Sequence, residues 1–138
     1  MKNNVINEKI ESLRKCLVRL EDKKPDDIAI LRTDIDRQDI ISVNLERAIQ
    51  ICVDIASYII SSQNLPAPTT MSESIAALEK VALISTKTSL SLQKAVGFRN
   101  ISVHAYKKID WDIVFSILHN HLNDFKAFVR EIEENRKT

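Results

Sequence analysis

A chain of 138 residues with a formal charge of +1 is long enough for one packed core, and it has no global field that would draw it to nucleic acid. Apolar residues make up 44% and charged residues 28%, an ordinary globular composition, so any RNA or DNA contact must come from a local patch. Aromatic residues at 5% argue against stacking platforms for single strands, and one Gly with three Pro argues against strand-and-turn folds and for long helices.

From Val5 to Leu20 the apolar residues fall at 5, 6, 10, 13, 16, 17 and 20, which is helical spacing with charged residues on the other side. The opening "MKNNVINEKIE" is polar and does not read as a signal peptide. No apolar run reaches the ~18 residues that a bilayer span needs. A cytoplasmic protein without membrane contact is the expectation. Cys16 and Cys52 lie within apolar helical stripes and read as core residues. Pro25 interrupts the first helix, and Asp26 or Asp27 can cap the next.

The segment from Asp26 to Gln63 predicts helix almost throughout, with a short part around Ile28 to Ile35 and a long part from Ile40 to Ile60. Apolar density rises along the long part, which suits the centre of a bundle or a helix that also meets a second chain. "SSQNLPAPTTMSES" is the main loop, after which Ser72 or Ser74 is expected to cap a short helix through Leu83. Ser85 opens another helix carrying Leu90, Leu92 and Val96. Asp110 is a good N-cap for a last helix from Trp111 to about Glu134, with a polar tail that frays from about 134. The expected fold is all-α: one domain over residues 1–138, an antiparallel bundle of about five helices.

One window concentrates the chemistry. "GFRNISVHAY", Gly97 to Tyr106, holds the only glycine together with Arg99, His104 and Tyr106. Arg is a permanently charged planar donor suited to phosphate oxygens, and His can accept or donate a proton near neutral pH. Cleavage of a phosphodiester beside a 2′-hydroxyl needs a base, an acid and a cation, which such groups supply without a metal. On a continuous helix, however, Arg99 and His104 stand about 140° apart. Two arrangements reconcile this: the helix ends near His104 and the chain turns back, or two copies face each other across a two-fold axis. On spacing alone the plainer reading is an interhelical turn whose Arg and His satisfy helix-end carbonyls.

"RNISVHAY" matches R-x4-H-x-Y, and its flanks "AVGFRNISVHAY" and "WDIVFSILHNHLNDFKAF", with "DRQDIISVNLERAIQICVDIASYII" and "LPAPTTMSESIAALEK" earlier, make the chain resemble the HepT-type HEPN toxins from about Lys9 to Phe128. The resemblance implies a helical homodimer whose motif lines a cleft between protomers. It also implies a ribonuclease that needs no metal and no cofactor, acting on an RNA such as tRNA or mRNA and leaving a 2′,3′-cyclic phosphate. The implied partner is a small nucleotidyltransferase antitoxin of the MntA type, which silences the toxin by transferring AMP groups to the motif tyrosine. Carried over, Arg99 holds the phosphate, His104 is the acid/base residue, Asn100 orients His104 or the RNA, and Tyr106 is the modified residue. AMP on Tyr106 would place bulk and negative charge where an RNA phosphate must bind.

His119 and His121 stand about 200° apart on a straight helix and cannot chelate one metal; His121 lies near enough to the motif for an RNA contact or is a plain helix histidine. Gly97 within a helix costs roughly 1 kcal/mol relative to Ala, which close approach of a helix from the same or a second chain would offset. Lys107 and Lys108, with Lys94 and Arg99, form a local positive cluster that could contact RNA or be a solvated turn. A second function class is a non-catalytic helical subunit that docks a nucleotidyltransferase and helps present its nucleotide or substrate. A plain structural bundle leaves the clustering of Gly97, Arg99, His104 and Tyr106 unexplained.

Overall fold

The computed structural model describes residues 3–104 and 109–136, apart from the side chains of Asn3 and of residues 102–104. Among the described residues there are seven α-helices and no strands, in the order α1 (Asn3–Lys23), α2 (Ile28–Thr33), α3 (Ile35–Ser62), α4 (Met71–Lys80), α5 (Thr86–His104), α6 (Trp111–Asn120) and α7 (Leu122–Asn135). The expected all-α bundle forms. Its five anticipated segments become seven helices because two of them break.

The first break is at Asp34, whose backbone is extended. Its carboxylate accepts from the Arg37 backbone N–H at 3.1 Å and from Arg37 Nε at 3.3 Å. The backbone bond, with help from the guanidinium, holds the Asp34 carboxyl below the usual range for aspartate. The second break is at His121, between α6 and α7. The last stripe keeps its spacing across that break, with Val114, Leu118, Leu122, Phe125, Phe128, Val129 and Ile132 all buried. A periodicity that continues through the break is why the sequence reads as one helix.

The centre of the bundle is α3. Ala48, Ile49, Cys52, Val53, Ile55, Ala56, Ile59 and Ile60 are buried on more than one side of it. It packs on α1 along much of its length and also on α2, α4, α5 and α7. Cys16 of α1 and Cys52 of α3 belong to this core as free thiols. Burial pushes both thiols up, which makes them poor nucleophiles.

Thr70, rather than Ser72 or Ser74, caps α4. Its hydroxyl accepts from Glu73 N at 3.1 Å, and the Glu73 carboxylate reaches back to the Thr69 N–H at 2.9 Å and hydroxyl at 2.7 Å. This is a capping box displaced by one residue. The hydroxyl and N–H of Thr69 hold the Glu73 carboxyl below its usual range. Ser74 is instead buried inside the helix.

The helix stops at Lys80, short of the expected Leu83, because Ala82 takes a left-handed conformation at φ 63°. The Leu83 N–H then bonds the Leu78 carbonyl at 2.9 Å, and Leu83 and Ile84 turn into the core. The turn that closes α3 has the same form, with Asn64 at φ 57° and Leu65 N on the Ile60 carbonyl at 3.0 Å.

Glu131 fastens α7 to the start of α5. Its carboxylate accepts from Ser85 N at 2.7 Å and Thr88 Oγ1 at 2.8 Å, while the Ser85 hydroxyl caps α5 by accepting from Thr88 N at 3.2 Å. α7 continues to Asn135, which donates to the Leu83 carbonyl at 3.2 Å, and Arg136 donates to Asn7 at 2.6 Å.

Ala82 is in the position that glycine fills at most such helix ends, so Ala82→Gly should raise the unfolding free energy by about 1 kcal/mol in urea titrations followed by circular dichroism.

Candidate functional site

The R-x4-H pair lies on one continuous helix. α5 runs through Arg99 and ends, as described, at His104. No helix break therefore separates the two positions, and they stand about 140° apart around its axis.

Three faces of α5 have different surroundings. Thr88, Ser89, Leu92 and Val96 are buried in the core. Ser91, Ala95 and Phe98 line a cavity against α6 and α7. Leu90, at 54% exposure, and Ile101, at 70%, face outward. Lys94 and Gly97 are exposed with them, and positions 90, 94, 97 and 101 have the spacing of one helical stripe. Position 104 continues that register.

Gly97 lies in this open stripe. Nothing among the described residues comes within 4 Å of where its Cβ would stand. The close approach expected around Gly97 is therefore not made by the described residues. The glycine costs helix stability with no compensating close contact among the described residues.

Arg99 lies on the side of α5 that faces α4. It is half-buried, and its Nη1 stands 3.6 Å from the Met71 sulfur at the start of α4. Asn100 is exposed. Tyr106, Lys107 and Lys108 lie outside the described residues, as does the side chain of His104. Within the described residues, then, the local positive charge of α5 comes from Arg99, Lys94 and Lys87.

The two histidines of the last segment have different partners. His119 Nε2 donates to the Pro25 carbonyl at 2.7 Å, and its ring lies 4.2 Å from that of Phe115. This ties α6 to the turn after α1. His121 Nδ1 donates to the Asp124 carboxylate at 2.9 Å, across one turn at the start of α7. Among the described residues no group of three His, Cys, Asp or Glu side chains is placed to hold a metal ion. No described helix is long and apolar enough to cross a membrane.

His121 and Asp124 also line the cavity that borders α5. Its volume is about 250 Å³ and its other walls include Phe98, Ile113, Ser116, Ile117 and Phe125. Sequence reading named His121 as near the motif but missed Ser91, Ser116 and Asp124. The available signal was the His-x-x-Asp spacing, which puts both side chains on one helical face.

An all-α bundle whose fifth helix ends in R-x4-H has the architecture of the HEPN toxins that the motif resembles. Comparison with known proteins agrees. Residues 6–132 match the family described as ribonuclease HepT-like. The mRNA nuclease HepT of Shewanella oneidensis is 34% identical over 131 residues, covering 95% of this chain and 98% of that protein. The structure superposes on the tri-AMPylated Shewanella oneidensis HEPN toxin in complex with its MNT antitoxin with a TM-score of 0.89, at 34% identity over 96% of this chain and 99% of that one. A toxin–antitoxin structure with AMP-PNP matches with a TM-score of 0.89 at 33% identity, covering 96% of this chain and 100% of that one. The chain belongs to the HepT-like ribonuclease family.

Proposed function

We propose that this chain is the RNA-cleaving toxin of a two-component toxin–antitoxin module, acting as a homodimer through Arg99 and His104. The observation that carries the reading is the 34% identity to an mRNA nuclease over 95% of the chain, together with the R-x4-H-x-Y motif in the sequence, of which positions 99 to 104 lie on α5. That relative makes messenger RNA the first substrate to test.

The chemistry is in-line transfer within the RNA. One His104 imidazole takes the proton of the 2′-hydroxyl as the 2′-oxygen bonds to phosphorus. The bond from phosphorus to the 5′-oxygen breaks, and the second protomer's His104 supplies the proton that the leaving oxygen takes up. Arg99 neutralises the charge gathered on the phosphoryl oxygens. The products are a 2′,3′-cyclic phosphate and a 5′-hydroxyl. No step needs a metal.

A second copy is supported by two features of α5. Positions 99 and 104 stand about 140° apart around α5, a divergence that a second copy facing the first would reconcile. The outer stripe of Leu90, Lys94, Gly97 and Ile101 is exposed and mostly apolar, and nothing among the described residues comes within 4 Å of where a Gly97 Cβ would stand. Helices approach most closely where a residue lacks a Cβ, and a partner's α5 crossing there would repay the cost of Gly97.

Control is assigned to Tyr106. A related toxin has been seen tri-AMPylated and bound to an MNT antitoxin. Adenylates on Tyr106 would set negative charge two residues from His104 and exclude an RNA phosphate.

Arg99→Ala and His104→Ala should each lower RNA cleavage at least ~100-fold and relieve growth inhibition, with unchanged circular dichroism. Wild-type cleavage should persist in a chelator. A fully active His104→Ala enzyme would sink the catalytic assignment, and a protein that never cuts yet binds the nucleotidyltransferase stably would be the docking subunit instead. Co-expression with that nucleotidyltransferase should raise the intact mass by AMP increments, and Tyr106→Phe should abolish them. Gly97→Leu, which fits the single chain, should sediment as a monomer and lose cleavage; an active dimer would rule out this interface.

A further inference from the structure

We infer that the cavity between α5, α6 and α7 receives a nucleobase bearing an exocyclic amino group, namely a base of the RNA next to the phosphate being cut. This rests on the RNA-cleavage reading above and adds to it a source of sequence preference.

The size comes first. At about 250 Å³ the cavity is below the ~300–1,000 Å³ typical of whole-ligand sites, so it suits one ring system. Its walls then divide by chemistry. Phe98, Phe125, Ile113 and Ile117 present flat or aliphatic surface, which suits the face of an unstacked base. Ser91, Ser116, His121 and Asp124 supply polar groups at the edges. Exposed Lys94 also lines it, a cation placed for the phosphate attached to a bound base.

The polar edge selects among bases. His121 Nδ1 donates to Asp124 Oδ2 at 2.9 Å, and in the tautomer that carries its single proton on Nδ1 the Nε2 atom is an acceptor. The Asp124 carboxylate adds further lone pairs. These acceptors need N–H donors. Adenine, cytosine and guanine each bring an amino group. Uracil brings two carbonyls flanking a single N–H, which would set lone pair against lone pair in a partly enclosed site. The serine hydroxyls can serve either role and do not change this bias.

The location links the cavity to the reaction. Phe98 lines it, and the next residue is Arg99. Phe98 and Arg99 stand about 100° apart around α5, so a strand whose phosphate is held by Arg99 would pass round that helix to place a neighbouring base in the cavity. An adenylate on Tyr106 offers the same chemistry, and the experiment separates the two sources.

Unmodified protein is incubated with short RNAs of randomised sequence, and the new 5′-hydroxyl ends are mapped. One fixed position beside the cut should favour amino-bearing bases over uracil by about 10-fold. Asp124→Asn, which gains a donor, should reduce that ratio to near unity, and Ser116→Trp, which fills the cavity, should flatten it too. The ratio compares cuts made by one enzyme, so it does not depend on the overall rate. Melting temperature checks that each variant is folded.

A second arm is independent of cleavage. 5′-AMP and 5′-UMP are titrated into isotope-labelled protein, and amide shifts in α5 to α7 are followed. AMP, and not UMP, should move the amides around Ser91, Ser116 and Asp124. If protein AMPylated on Tyr106 no longer responds to AMP, and RNA cuts show no base preference, the adenylate is the source. Cleavage with uracil as frequent as the other bases, together with no AMP shift at the cavity, overturns the inference and leaves the ribonuclease reading intact. A protein that cuts nothing overturns the ribonuclease reading, while the titration still decides the cavity.

Discussion

The constraint on which the structure depends is the burial of the C-terminal half of α3 on more than one side. Ile49, Cys52, Val53, Ile55, Ala56 and Ile60 cover too much of its circumference for a single partner helix to shield. α1 covers one side, while α4, α5 and α7 cover the rest. The hydrophobic gain per buried aliphatic side chain is about 1.5–3 kcal/mol, so this arrangement outweighs local preferences such as the left-handed Ala82. α5, which carries the motif, is held in place as a consequence of covering α3.

A helix held in this way has three separate duties. The face with Ser89, Leu92 and Val96 belongs to the core. The face with Ser91, Ala95 and Phe98 closes one wall of a cavity. The outer stripe with Leu90, Gly97 and Ile101 is exposed, and nothing among the described residues comes within 4 Å of where a Gly97 Cβ would stand. Apolar side chains on opposite sides cancel in a single-face reading of the sequence, which is why α5 looks poorly amphipathic although it is well packed. The same division keeps Arg99 beside α4 while position 104 follows the outer stripe.

The turns show how a chain with one glycine manages its helix ends. The left-handed positions fall to Asn64 and Ala82, and the glycine is used inside a helix instead. Polar side chains do the remaining work. Asp27, Asp34, Thr70 and Asp110 each accept from the first turn of the helix that follows. The Glu131 carboxylate reaches from α7 to the start of α5, and so fixes the end of the motif helix opposite Arg99. A capping group so distant in sequence leaves no local signature.

The sequence by itself determined the helical class, the stripes of α1 and α3, a cap at Asp26 or Asp27 and the Asp110 cap, because each depends on residues within a turn or two of one another. The break at His121 escaped it because hydrophobic spacing carries across the break unchanged. The stop at Lys80 escaped it because alanine rarely takes the left-handed conformation that ends α4. Tertiary structure alone decided that Gly97 is open, that Arg99 packs by Met71, and that Ser91, Ser116 and Asp124 meet around one cavity. Those facts depend on how separate helices pack against one another, which no local stretch of sequence records.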